Sequence, residues 1–95
     1  MRISKAIAEF LKAEIRGRMG PAAIYLFGSR ADDSKRGGDI DILVISEREA
    51  DFSIRSKIKI NFYKKFGERK LDLVFYRRND ESAFKRLALM EAVEL

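Results

Sequence analysis

The sequence predicts an α/β fold, and three observations carry the prediction. Three segments show the three-and-four spacing of an amphipathic helix, three short apolar runs have the length and residue types of buried strands, and the two kinds alternate along the chain. A helical segment also stands between the second and third apolar runs, where a parallel strand pair needs a crossover. Ninety-five residues suit one domain spanning 1–95. Such a chain has room for a core two layers thick and not for a separate substrate lobe.

Each element has its own local reason. Ile3, Ile7, Phe10, Leu11 and Ile15 recur at three and four up to Met19, and Gly20-Pro21 ends that helix. Ala22 to Phe27 is a short apolar run between Pro21 and Gly28, too short for a helix and suited to a buried strand. Residues 28–38, GSRADDSKRGG, hold three of the six glycines among small and charged side chains and form a loop. Ile40, Ile42 and Val44 alternate with Asp39, Asp41 and Leu43 before the run becomes apolar on both sides through Ile45, as in a strand entering a buried sheet from an open end.

The stretch 51–66 fits two periods. Phe52, Ile54, Ile58, Ile60 and Phe62 follow alternation, while Ile54, Ile58, Phe62 and Phe66 recur every four residues. Its length, Asp51 as N-cap and Gly67 as a stop favour helix. Leu71 to Tyr76 is a third strand, with Leu71, Leu73 and Phe75 on one face and Asp72, Val74 and Tyr76 on the other. A last helix is expected from Asp80 to about Met90, capped at Asn79 or Asp80, with Phe84, Leu87 and Ala88 facing inward. The aromatic residues Phe62, Tyr63, Phe66, Phe75 and Tyr76 follow these periods and are expected to pack in the core and at its rim, as is Tyr25.

Composition narrows the chemistry. There is no Cys and no His, which removes disulfides, thiol and imidazole catalysis, and thiolate or imidazole metal sites. A metal must therefore sit on oxygen. The longest uncharged apolar run after the first strand, Ile42 to Ile45, is far short of the ~20 residues of a membrane span, so a soluble, cytoplasmic protein without membrane association is expected. The net charge of +5 is uneven: residues 1–20 sum to +3 and 47–70 to +4, while 21–46 and 71–95 each sum to −1. The basic stretches read as a solvated surface or as phosphate or RNA contacts.

The acidic residues are placed where packing does not ask for them. Asp39 and Asp41 are two residues apart in a strand, so both side chains point to one face about 7 Å apart. Asp72 is a third carboxylate inside a different apolar strand. Neighbouring acids repel and are costly to desolvate, whereas a divalent cation gives them a purpose: Mg²⁺ takes one or two carboxylates together with phosphate oxygens and water. In the structural alternative Asp39 caps the loop, Asp41 faces solvent on an edge strand, and Asp72 pairs with Lys70 or Arg77. Ahead of the acids, Gly28 allows a phosphate to approach the backbone, and Ser29 offers a hydroxyl and N–H groups to an anion.

Gly28-Ser29-Arg30-Ala31, then Asp39-Ile40-Asp41 after an apolar strand, and later Leu71-Asp72-Leu73, resemble the signature of the DNA polymerase beta nucleotidyltransferase superfamily. The likeness is closest to its minimal nucleotidyltransferases (MNT) and covers roughly residues 22–78. It implies a polymerase-beta-like fold, a short mixed β-sheet with helices packed on one face. It further implies two Mg²⁺ ions on Asp39 and Asp41, with Asp72 completing the second metal site and helping to deprotonate the acceptor. Gly28 and Ser29 would hold the β- and γ-phosphates of ATP, with Arg30, and by extension Lys35 or Arg36, neutralising them. Two features depart from the family pattern: Asp32-Asp33 replaces a common Arg-Gly, and Gly38 stands where Ser or Asn often precedes the first metal Asp.

The resemblance also implies a partner. Minimal nucleotidyltransferases are commonly antitoxins paired with a small helical HEPN toxin, and in characterised pairs they transfer AMP from ATP to a tyrosine of the toxin. The expected activity is thus protein AMPylation by the antitoxin of a type VII-like toxin–antitoxin pair, in a hetero-oligomer. Two alternatives stand beside it: neutralisation by complex formation with a non-catalytic nucleotide site, and nucleotidyl transfer to RNA or a small molecule, which the basic stretch Arg55 to Lys70 would serve.

Overall fold

The protein is described by a computed structural model covering residues 3–28, 39–67 and 69–95. Its elements are α1 (Lys5–Met19), β1 (Ala22–Phe27), β2 (Ile40–Ser46), α2 (Phe52–Phe66), β3 (Leu71–Arg77), α3 (Ala83–Glu91) and β4 (Val93–Glu94). The strands form one mixed sheet in the order β3-β2-β1-β4. β1 pairs antiparallel with β2 and β4, and β2 pairs parallel with β3 through the α2 crossover. The predicted loop 28–38 lies outside the described residues except for Gly28.

Strand alternation divides the sheet into two faces. On one, Ile24, Leu26, Ile40, Ile42, Val44 and Leu71 join Ile7, Leu11, Ile15 and Met19 of α1 and Ile58 and Phe62 of α2 in a single buried core. The two periods competing over 51–66 are resolved here: the four-residue series Ile54, Ile58, Phe62 and Phe66 faces the core, while Phe52 and Ile60, which only alternation would bury, are 80% and 51% exposed. Phe10 of α1 packs against Phe62 and Phe66 at ring-centroid distances of 6.2 and 5.4 Å. Glu14 ties the two helices by accepting from Asn61 Nδ2 at 2.8 Å and Arg18 Nε at 2.7 Å. Burial raises the Glu14 pKa, but those two hydrogen bonds and the Arg18 charge outweigh it and leave the carboxyl below its ordinary value.

The opposite face carries Phe27, Asp41, Leu43, Ile45, Asp72 and Tyr76. α3 lies on this face, with the Phe84 ring 6.1 Å from Phe27 and 6.3 Å from Tyr76. The helices are therefore split, two on one face and one on the other, and Leu43 is fully buried between the layers.

Helix ends are set by short polar side chains: Ser4 Oγ accepts from Ile7 N at 3.1 Å, and Asp51 Oδ1 from Ile54 N at 2.8 Å. The last helix differs from expectation. It begins at Ala83 rather than Asp80, because Ser82 takes the N-cap and Asp80 instead accepts from Ser82 N at 2.7 Å to shape the preceding turn. Its buried residue is Lys85; of the expected inward residues Phe84 packs on Phe27 and Tyr76 while staying 49% exposed, Ala88 is half-buried, and Leu87 is 65% exposed. Lys85 Nζ donates to the carbonyls of Arg77, Arg78 and Asp80 at 3.0, 2.9 and 2.9 Å, so its three donors close the β3–α3 turn. β4 was not anticipated; its two residues pair with Tyr25 and Leu26, and Leu95 N donates to Ile24 O at 2.9 Å.

Lys85→Met keeps the apolar stem of this side chain and removes all three donors. Equilibrium urea unfolding is expected to show a loss of about 1–3 kcal/mol, and an unchanged midpoint would mean the turn does not depend on the ammonium.

Candidate active site

The parallel register brings the predicted acids together. Asp41 of β2 is the Cα partner of Asp72 in β3, and Phe27, the residue before Gly28, is the partner of Asp41 on the other side. Asp39 precedes β2, and Ile40 N donates to Lys70 O at 3.0 Å, which fixes the lead-in segments of the two strands side by side. Asp39, Asp41 and Asp72 therefore gather at the amino ends of β2 and β3, beside the carboxyl end of β1 where Gly28 sits. Ser29 and Arg30, with Asp32, Asp33, Lys35, Arg36 and Gly38, lie outside the described residues.

This arrangement removes part of the structural alternative. Asp41 is not on an edge strand; β2 is flanked on both sides, and the carboxylate is half-buried. Among the described residues Asp72 has no ion pair, because Lys70 turns to Asp39, with Nζ 3.6 Å from Oδ2. Both members of that pair are well exposed, so it contributes little stability. Burial first, then the Asp72 charge and hydrogen bond, then the Asp39 charge, push the Asp41 carboxyl above its ordinary pKa, and Lys70 acts weakly the other way.

Gly28 meets two demands at once. Its φ of +74° lies in the region that side-chain-bearing residues rarely adopt. A Cβ added there would collide with the Asp41 carboxylate and approach Asp41 Cγ to 3.3 Å. The absent side chain leaves the chain turning directly over an acid that a loop residue of any other type would displace.

The donor chemistry fits a hard divalent cation. All three acids offer oxygen, and Asp41, whose pKa is raised first by burial and then by the neighbouring Asp72 and Asp39, stands among charges that a cation would relieve. Among the described residues no group of three or more acids is placed to hold a metal ion together. One or two carboxylates per ion, with the remaining positions left to phosphate and water, is the ordinary arrangement for Mg²⁺. Lys70 was not singled out from the sequence as a site residue. Its position two residues before the third acid was visible, but the register that sets it beside Asp39 was not.

A family model for polymerase beta nucleotidyltransferases matches residues 6–95. No protein among those of curated function matches the chain. Among solved structures, a chain of the tri-AMPylated Shewanella oneidensis HEPN toxin in complex with MNT antitoxin is 19% identical, with a TM-score of 0.70 over 97% of this chain and 71% of that one. A chain of the toxin–antitoxin pair MntA–HepT is 18% identical, with a TM-score of 0.69 over 96% of this chain and 70% of that one. A further Shewanella oneidensis structure is 17% identical, with a TM-score of 0.71 over 98% and 71%. At these identities the likeness is one of fold, and it extends over nearly the whole chain.

The charge crowding has a measurable sign. With the folded pKa of Asp41 raised, the folded state holds the proton more tightly than the unfolded chain, so a penalty is absent below the ordinary carboxylate range and fully present above the raised value. Asp41→Asn is therefore expected to be more stable than the metal-free wild type at pH 7, with the difference shrinking as pH falls through that window. Thermal melts across pH check this, and an Asn variant less stable at pH 7 would refute it. Mg²⁺ or Mn²⁺ should raise the melting temperature of the wild type and not of Asp41→Asn or Gly28→Ala, since both lose the ligand geometry.

Proposed function

The chain belongs to the polymerase beta nucleotidyltransferase family, and from that membership we propose that it transfers AMP from ATP to a hydroxyl of a cognate HEPN-type toxin, a tyrosine in the first instance, as the antitoxin of the pair. The observation that carries the reading is the Asp41–Asp72 register at the mouth of the sheet, next to Asp39 and under Gly28. Likeness of fold to a chain solved with a tri-AMPylated HEPN toxin supports both the group transferred and the class of acceptor.

In this reading Asp39, Asp41 and Asp72 would hold two Mg²⁺ ions, which would supply charge stabilisation to phosphoryl transfer. Asp72 also takes up the hydroxyl proton of the acceptor. Gly28 admits the β- and γ-phosphates to its backbone, with Ser29 and Arg30 as the further phosphate contacts. The acceptor hydroxyl forms a new bond to the α-phosphorus as the bond to the pyrophosphate oxygen breaks. Most of the work is positioning and charge stabilisation, which a rigid strand pair supplies. No helix is long and apolar enough to cross a membrane among the described residues, and the working site of a toxin-modifying enzyme is taken to be the cytoplasm.

Intact mass of the co-expressed partner after incubation with the protein, ATP and Mg²⁺ tests the proposal. One or more AMP additions are expected with the wild type and none with the Asp39→Asn/Asp41→Asn double variant. A stable complex with no mass gain would instead favour neutralisation by binding alone. Neither a gain nor a complex would direct attention to RNA or small-molecule acceptors, with RNA binding expected to fall steeply with salt.

A further inference from the structure

The end of the sheet away from the carboxylates has the opposite charge. Because β2 and β3 are parallel, their carboxyl ends lie together, Ser46 beside Arg77. Arg48 from the β2–α2 connection, Arg55 from the first turn of α2, and Arg77 and Asn79 at the end of β3 line one open pocket of about 290 Å³. Open α/β sheets take ligands outside the carboxyl ends of their parallel strands, where a helix N-terminus adds partial positive charge. α2, fifteen residues long, begins at this place.

Among the described residues the three arginines have no partner of their own. Elsewhere Arg18 is paired with Glu14 at 2.7 Å, Arg78 with Glu47 at 3.0 Å, and Arg16 donates to Ala22 O at 3.1 Å. Among the described residues Arg48, Arg55 and Arg77 have no carboxylate within 4.0 Å and donate no side-chain hydrogen bond. Two acids, Glu49 and Asp80, also line the pocket, with Asp80 Oδ1 accepting from Ser82 N at 2.7 Å, so the three guanidinium groups exceed the carboxylates by one. Guanidinium forks match phosphate oxygens in pairs, so a phosphate entering this pocket meets donors from three segments.

We propose that this pocket binds a phosphate-bearing small molecule of nucleotide size through Arg48, Arg55 and Arg77, at a site separate from the carboxylates. Arg77 stands five positions after Asp72 in β3, so the two sites are about 16 Å apart along the strand. The proposal does not depend on the transferase reading. Lys57, Lys59, Lys64 and Lys65 of α2 continue the positive charge without an acid in the helix, which makes a nucleic-acid strand the competing occupant. Convergence of arginines from three segments into a concavity suits a compact anion better than a row of phosphates.

The test is a titration of the ¹⁵N-labelled protein, kept free of divalent metal, with inorganic pyrophosphate, with ATP, and with a twelve-nucleotide RNA. Pyrophosphate is expected to give saturable shifts at the amides of Arg48, Ala50, Arg55 and Asn79 with Gly28, Asp41 and Asp72 unmoved, and ATP is expected to shift the same four amides. Arg55→Gln and Arg77→Gln should each weaken binding about tenfold or more while keeping a folded spectrum, with Arg48→Gln in reserve if either fails to fold. Pyrophosphate shifts centred on Gly28 and Asp41, affinity unchanged in the Gln variants, a response that does not saturate, or binding of RNA without binding of pyrophosphate or ATP would each overturn the proposal.

Discussion

The site depends on one constraint, the parallel register that sets Asp41 beside Asp72. Side chains in a strand alternate faces, so a slip of one residue would turn the acid of one strand into the apolar core and bring an isoleucine or leucine out in its place. The register is held by burial on the opposite face, where Ile40, Ile42, Val44 and Leu71 are closed off by α1 and α2. Parallel pairing also requires the crossover, and α2 secures it through Ile58 and Phe62, both fully buried. The geometry of the carboxylates is thus set by hydrophobic residues that do not touch them.

The price of the arrangement is electrostatic, and the fold confines it to one corner. Asp41 is in a central strand, where desolvation and two neighbouring acids act in the same direction on its carboxyl. Among the described residues the face that carries these acids is covered by a single nine-residue helix, whose Phe84 ring packs against Phe27 and Tyr76. Leu43 and Ile45 are buried under that layer, while Asp41 and Asp72 keep partial access to solvent. In the proposed reaction a metal ion and a triphosphate would have to reach these acids, and among the described residues the unequal covering of the two faces leaves that route open.

Much of this was legible in the sequence because it rests on local signals. β1 has the residue limits read from Ala22 to Phe27, and α2 follows its four-residue period between Asp51 and Gly67. The three acids could be named as a group before any pairing was known, since nothing in local packing asks for Asp in apolar strands. What could not be read was tertiary. Neither the pairing of Asp41 with Asp72 nor that of Lys70 with Asp39 follows from residue spacing, because both arise from strand register. α3 was misplaced at its start because Asn79, Asp80 and Ser82 are all competent caps and the turn geometry chooses between them. Lys85 is buried against the usual preference of its type because three carbonyls of that turn converge on it, and two-residue β4 is too short to show a period.

The sheet ends up with carboxylates at one end of its parallel strands and arginines at the other, and the distance between them decides how they can communicate. Two unit charges about 16 Å apart interact by about 0.3 kcal/mol in water before screening, and a Debye length of about 8 Å at physiological salt reduces that severalfold. An anion among the arginines therefore cannot alter cation affinity at the carboxylates through its field to any useful degree. Any influence of one end on the other has to pass through β3, which carries Asp72 and Arg77, and through β2, which shares seven consecutive paired positions with it. Those strands are backed by a close-packed core on one face, which resists small continuous deformation. The two ends are thus mechanically joined and electrostatically separate, so each can hold its own charge without the fold having to balance one against the other.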